Sequence, residues 1–299
     1  MSAADLTVLQ RPKDRLRRRR VVNRVMELLA WTAAAIAVGL LLFVVWSVAK
    51  RGASELNLDL LTKTPVPFAL GNTPQGLANA FVGTFVIVGV ATLMALPFGI
   101  LVAIYVNEFA PKAVKNTVGL GLDVLNGIPA IVIGIFVFGL IVVGHGQSGY
   151  AGGFALAVLM LPLVARATIE VLALVPDSLR EASLGLGVPR WRTTLGIVLP
   201  QTVGGIVTGT VLAVARVAGE TAPLLFTTSL VGNEVVWNPS HPLFSVPLAI
   251  FELSESPDPA DHARAWAAAL VLLLFILFAS LTARWLATRS KRKILRGAR

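Results

Sequence analysis

Six runs of about twenty apolar residues limit this chain to a membrane-spanning fold. A helix of about twenty apolar residues crosses the hydrocarbon core of a bilayer, and it satisfies its own backbone polar groups there. The 299 residues are 56% hydrophobic and only 14% charged, unlike an ordinary soluble domain. We therefore predict an all-α membrane protein with six transmembrane helices. The predicted spans are residues 26–48, 80–105, 119–143, 152–174, 202–229 and 266–288.

The positions of the basic residues predict the orientation of the chain. Both ends of the chain and the connections that contain Lys112 and Arg190 hold 20 of the 26 Lys and Arg residues. Because basic residues collect on the cytoplasmic side of membrane proteins, we expect both termini in the cytoplasm. The predicted organisation is a basic tail at 1–25, a transmembrane domain at 26–290 and a second basic tail at 291–299.

The net charge of +10 does not indicate nucleic-acid binding. The positive charge lies beside the apolar runs, where it sets topology and meets the anionic headgroups of membrane lipid. We therefore expect lipid as a partner of the basic segments and no nucleic acid.

A polar segment at residues 176–200 separates the fourth and fifth apolar runs. Ser178 and Glu181 have the spacing of a capping box, and Gly187 followed by Pro189 is a plausible helix stop. The pattern predicts a helix of about two turns, which is too short to be stable alone in water. The segment is therefore either an ordinary capped connector or a helix that docks against another surface.

The spacing within this segment resembles the EAA loop of ATP-binding-cassette (ABC) importer membrane subunits. That loop reads E-A-A, three residues, G, nine residues and I-x-L-P, and Ser183 replaces its second alanine here. The resemblance implies a type I ABC importer permease fold in which a cytoplasmic coupling helix within 178–200 contacts an ATPase subunit. The matching residues are Glu181, Ala182, Ser183, Gly187, Ile197, Leu199 and Pro200.

Two arginines inside predicted spans are each followed four residues later by a glutamate. The pairs are Arg166 with Glu170 and Arg216 with Glu220. Burying an arginine at the centre of a transmembrane helix costs about 2.5–3.5 kcal/mol, so another interaction must offset this cost for each of them. Each pair could neutralise itself across one helical turn. Alternatively, the two guanidiniums reach similar depths and bind a tetrahedral oxyanion, with Glu220 accepting a hydrogen bond from a protonated phosphate. We assign all four residues to a candidate substrate path.

The stretches 162–187 and 215–227 also resemble the phosphate-specific importer permeases. The stretches 83–110, 126–140 and 265–278 agree with the subunit type PstA rather than with PstC. This resemblance implies a bacterial inner-membrane location and a path through Arg166, Arg216 and Glu220. It also implies four kinds of partner: a PstC-type permease subunit, two cytoplasmic ATPase subunits, an external phosphate-binding protein and inorganic phosphate.

Several sequence patterns of catalysis are missing. The chain has no G-x-x-x-x-G-K-[ST] phosphate loop, no H-E-x-x-H, no G-x-S-x-G, no cysteine and no metal-ligand spacing among its three histidines. We therefore expect a transport subunit without a cofactor or metal, driven by ATP bound to partner subunits. Two alternatives stay open: a self-sufficient anion carrier or channel, and a membrane scaffold or sensor.

Overall fold

The computed structural model describes residues 13–66, 75–229 and 232–297, and this part of the chain is helical without a β-strand. The predicted all-α fold is confirmed. Three π-helical turns, at Tyr105–Phe109, Phe138–Val142 and Thr194–Val198, interrupt or extend the α-helices. The α-helices are α1 (Lys13–Gly52), α2 (Leu58–Thr62), α3 (Ala78–Ile104), α4 (Lys112–Gly127), α5 (Ala130–Val137), α6 (Val143–His145), α7 (Gly149–Ala173), α8 (Asp177–Gly185), α9 (Arg190–Thr193), α10 (Leu199–Val217), α11 (Leu224–Thr227), α12 (Val246–Glu255) and α13 (Pro259–Gly297).

Five described helical stretches are long and apolar enough to cross a membrane, and a sixth span results if α4 and the following helix count as one broken span. The two parts of that span meet at an angle of 93°. The break falls at Ile128 and Pro129, because proline lacks a backbone N–H and disfavours helical geometry in the residue before it. The five continuous stretches are Arg18–Glu55, Ala78–Phe109, Gly149–Ala173, Arg190–Val217 and Pro259–Thr282.

The chain divides into two compact units after Arg51. The first unit contains most of α1, whose apolar side chains, such as Leu28, Trp31 and Phe43, are mostly exposed. A helix that is apolar all round suits a hydrocarbon environment. Of the two predicted basic tails, residues 1–12 and 298–299 lie outside the described residues.

The core of the second unit forms where α3 packs along α7. Ile87 on α3 and Leu156 and Met160 on α7 are fully buried. Small residues bring the two backbones together: a Cβ atom on Gly153 would lie 2.5 Å from Cγ1 of Val90. Helices α10 and α12 pack against this pair, and α13 packs on α10 and α12.

The predicted bounds of the fifth span are wrong. The spanning helix covers Arg190–Val217 rather than residues 202–229. It ends at Val217 because Gly219 and Pro223 follow, and neither supports a continuing helix. Glu220 therefore lies beyond the helix, so it does not share a helical face with Arg216 as an i, i+4 neighbour.

Candidate coupling surface and anion path

Helix α8 is a short helix with a defined end. It has nine residues, and Gly187 after it adopts a left-handed conformation with φ of 78°. The Gly187 N–H donates to the Leu184 carbonyl at 2.9 Å, and the Val188 N–H donates to the Ser183 carbonyl at 3.2 Å. These two bonds form a Schellman motif, which favours glycine at the left-handed position. The predicted two-turn helix and its stop at Gly187 are confirmed.

The predicted capping box between Ser178 and Glu181 is wrong. The helix begins at Asp177 directly after Pro176, and no side chain caps it. Ser178 therefore lies inside the first turn rather than at the N-cap position. Glu181 is exposed and lines a cleft of about 270 Å³.

Ser183, the residue that departs from the EAA pattern, joins α8 to α9. Its hydroxyl is 2.9 Å from the hydroxyl of Thr193, and both residues are buried. An alanine could not make this bond, so serine stabilises the turn between the two helices. Its neighbour Ala182 is exposed.

The second half of the predicted coupling loop at 176–200 belongs to a membrane helix. The connection ends at Pro189, and the helix over Arg190–Val217 begins immediately after it. Ile197 lies in the π-helical turn, and Leu199 and Pro200 begin α10. The wider turn precedes a proline, which cannot donate a backbone hydrogen bond to the helix.

Exposed apolar side chains surround α8. Leu184 is 41% exposed, Leu186 is 84% exposed and Trp191 is 53% exposed. Arg190 lines the same cleft as Glu181 and Leu184. Exposed apolar residues rimmed by charges are typical of a protein–protein contact.

Arg166 pairs with a residue that the sequence analysis overlooks. Its Nη2 lies 2.5 Å from Oδ1 of Asp123 and donates to the Gly119 carbonyl at 2.6 Å, both on α4. The predicted alternative in which Arg166 and Glu170 neutralise each other is wrong, because α4 supplies the counter-charge. An aspartate inside the predicted span 119–143 is the sequence signal that identifies this partner. Among the described residues, the Arg166 Nε atom is buried without a hydrogen-bond partner.

Arg216 and Glu220 line one small cavity of about 70 Å³ at the break between α4 and α5. Its other walls include Asn126 and Ile128 near the end of α4, and Leu163 on α7. In the described ranges no ion pair involves Arg216, Glu220 or Glu170. The described structure therefore does not contain the alternative Arg216–Glu220 ion pair.

Arg166 binds α4 from α7, and the Arg216 cavity is lined by residues near the end of α4 and by α7 residues. Asp123, which holds Arg166, lies one turn from Asn126 on α4, and Arg166 itself lies one turn from Leu163 on α7. Arg166 itself does not line the cavity of Arg216. A single guanidinium can bind a small oxyanion bidentately. Glu170 is exposed and does not line this cavity. It is also not among the described partners of Arg166.

A bundle of membrane-spanning helices with a short helix between two of them agrees with one class of protein, the membrane subunits of ABC importers. Residues 95–292 match the family of binding-protein-dependent transport system inner membrane components. Among curated proteins, the phosphate transport system permease protein PstA of Haemophilus influenzae is 38% identical over 263 residues, which cover 87% of this chain and 91% of that protein.

Two further relatives are similar over nearly their whole length. PstA of Yersinia pestis is 37% identical over 96% of this chain and 97% of its own. PstA 1 of Mycobacterium tuberculosis is 38% identical over 92% of this chain and 91% of its own. The chain belongs to the binding-protein-dependent transport system inner membrane components, and within them to the PstA-type permeases. The predicted family is confirmed.

Solved structures share the fold at low sequence identity. A subunit of a bacterial alginate ABC transporter in complex with a periplasmic protein has a TM-score of 0.57 at 16% identity, over 93% of this chain and 96% of that one. A chain of the inward-facing MetNI methionine ABC transporter has a TM-score of 0.56 at 16% identity, over 72% of this chain and 94% of that one. The predicted type I importer permease fold is confirmed.

Proposed function

We propose that this permease forms the translocation path for inorganic phosphate, with Arg166, Arg216 and Glu220 as the groups that meet the anion. The observation that carries the proposal is the position of Arg216, which lines a cavity beside Glu220 without an ion-pair partner in the described chain. An unpaired guanidinium at membrane depth is costly, and an anionic substrate offsets that cost. The PstA names of the relatives support phosphate as that anion.

Asp123 makes the binding of phosphate transient. It pairs with the Arg166 guanidinium, and its own side chain is 64% exposed. Phosphate must displace this carboxylate, so part of the favourable interaction with Arg166 is offset. A path residue must release its substrate as well as bind it, and an internal competitor promotes release.

Glu220 selects the protonation state of the anion. A carboxylate accepts a hydrogen bond from the hydroxyl of a protonated phosphate, whereas it repels sulfate, which has no proton to donate. Glu170, one turn beyond Arg166 towards α8, is proposed to lie at the cytoplasmic exit of the path.

The coupling surface belongs to α8 and the residues around it. We propose that Glu181, Leu184 and Trp191 contact one of two cytoplasmic ATPase subunits, which bind ATP and drive alternating access. A PstC-type permease completes the membrane pair, and an external phosphate-binding protein delivers the substrate. Both termini then lie in the cytoplasm beside anionic lipid of the inner membrane.

Reconstituted transport tests this function. Proteoliposomes that contain this chain, the second permease and the ATPase subunits should accumulate labelled phosphate only with ATP and the external binding protein. Phosphate movement by the purified chain alone would instead support the self-sufficient carrier. Reporter fusions near Arg190 and after Arg289 should be cytoplasmic, and a fusion near Pro257 should be external. The reverse pattern would overturn the orientation.

A further inference from the structure

The Arg180 side chain joins α8 to the ends of two core helices. Its Nη2 and Nε atoms donate to the two carboxylate oxygens of Glu108 at 2.9 and 3.2 Å. The same guanidinium donates to the carbonyls of Leu172 at 2.9 Å and Val175 at 2.6 Å. Glu108 lies in the π-helical turn that continues α3, Leu172 lies in the last turn of α7, and Val175 lies in the connection that follows it.

This contact is mostly shielded from water. The Glu108 side chain is 7% exposed and the Arg180 side chain is 17% exposed. Asn107 also donates to Glu108 at 2.7 Å, which holds the carboxylate in place. The hydrogen bond to Glu108 raises the pKa of Arg180 above its ordinary value, so the guanidinium stays charged. A bidentate, shielded pair of this kind constrains the relative orientation of its two elements.

Among the described hydrogen bonds and ion pairs, no other joins α8 to α3 or to the π-helical turn that continues it. The Ser183–Thr193 bond joins α8 to α9, and the short connection after Ala173 joins it to α7. Asp177 also pairs with Arg180 at 3.0 Å, but it belongs to α8 and its side chain is 88% exposed. The link between α8 and α3 therefore depends on Glu108.

We propose that the Arg180–Glu108 pair makes α8 move as one body with the ends of α3 and α7, so that docking at α8 is converted into movement of the helices beside the anion path. Both are positioning residues, since neither lines the cavity of Arg216. Helix α7 carries Arg166, and α3 packs along α7 through the core. Because α8 is held to both helices, a displacement of α8 also moves α7 and its residue Arg166. This inference rests on the proposed coupling role of α8.

The test compares three variants in the complete reconstituted importer. Glu108→Gln removes one charge of the pair, and Arg180→Lys keeps the charge but loses the planar fork. Asp177→Asn is the matched control, because it removes an exposed partner of the same guanidinium. Three quantities are measured: the amount of ATPase subunit that co-purifies with the permease, the rate of ATP hydrolysis, and the phosphate moved per ATP hydrolysed.

We expect Glu108→Gln and Arg180→Lys to retain the ATPase subunits and to hydrolyse ATP, while phosphate moved per ATP falls by about tenfold, a typical size for coupling between sites. Asp177→Asn should move as much phosphate per ATP as the wild-type complex. An unchanged ratio in both test variants would overturn the inference, and so would loss of the ATPase subunits from both, since that assigns the pair to assembly. If the wild-type complex moved no phosphate, the proposed function would fail instead.

Discussion

Replacing Asp123 by asparagine should tighten phosphate binding while leaving the protein folded. Asp123 is 64% exposed and its partner Arg166 is 32% exposed on their side chains, so water screens much of their attraction. Ion pairs in such surroundings contribute about 0.2–1 kcal/mol. Loss of the pair should therefore cost at most that much stability, particularly because Arg166 keeps its bond to the Gly119 carbonyl.

The same energy sets the expected gain in affinity. If phosphate displaces Asp123, then Asp123→Asn returns about 0.2–1 kcal/mol to binding, and the dissociation constant should fall by about 1.4- to 5-fold. Equilibrium dialysis with labelled phosphate on the purified permease pair measures this change. Asp59→Asn is the control, since it removes a partly exposed aspartate that pairs with Lys63 and not with Arg166. Unchanged or weaker binding in folded Asp123→Asn would refute the competitor role.

Further predictions concern α8. Glu181→Lys or Gly187→Trp should abolish ATP-driven uptake while the chain stays in the membrane. The first change reverses an exposed charge, and the second places a large side chain at a φ of 78°. Normal uptake in both variants would contradict the coupling assignment. Ser183→Ala should lower stability by about 0.5–1.5 kcal/mol, because a buried hydrogen bond to Thr193 is lost. Thermal unfolding of the purified chain measures this, and an unchanged midpoint would contradict the account of Ser183.

Signals that are local in sequence predicted the helical class and the coupling segment well. Apolar length is enough to find a span, and Gly187 terminates α8 because few other residues tolerate its backbone conformation. Gly219 and Pro223 also indicate the end of the fifth span, but the prediction gave more weight to the length of the apolar run than to these two residues. The capping box failed because the helix begins at Asp177, directly after Pro176, two residues earlier than a Ser178 N-cap requires.

Contacts between distant segments could not be predicted in the same way. Arg166 has a glutamate one turn away, yet it binds Asp123 on another helix, because the packing of α4 on α7 brings that carboxylate closer. Glu108 and Arg180 are likewise separated by the whole of α4, α5 and α7. A single sequence contains the charges of such pairs without indicating which helices meet.

The most direct test of the anion path is phosphate uptake by the double variant Arg216→Gln with Glu220→Gln. The pair is not joined by an ion pair in the described structure, so neutralising both residues should leave assembly with the ATPase intact. We expect the assembled variant to lose at least about tenfold in ATP-driven phosphate uptake, because charge-assisted hydrogen bonds to the anion are removed. Near-normal uptake by an assembled double variant would contradict the central claim that Arg216 and Glu220 meet the substrate.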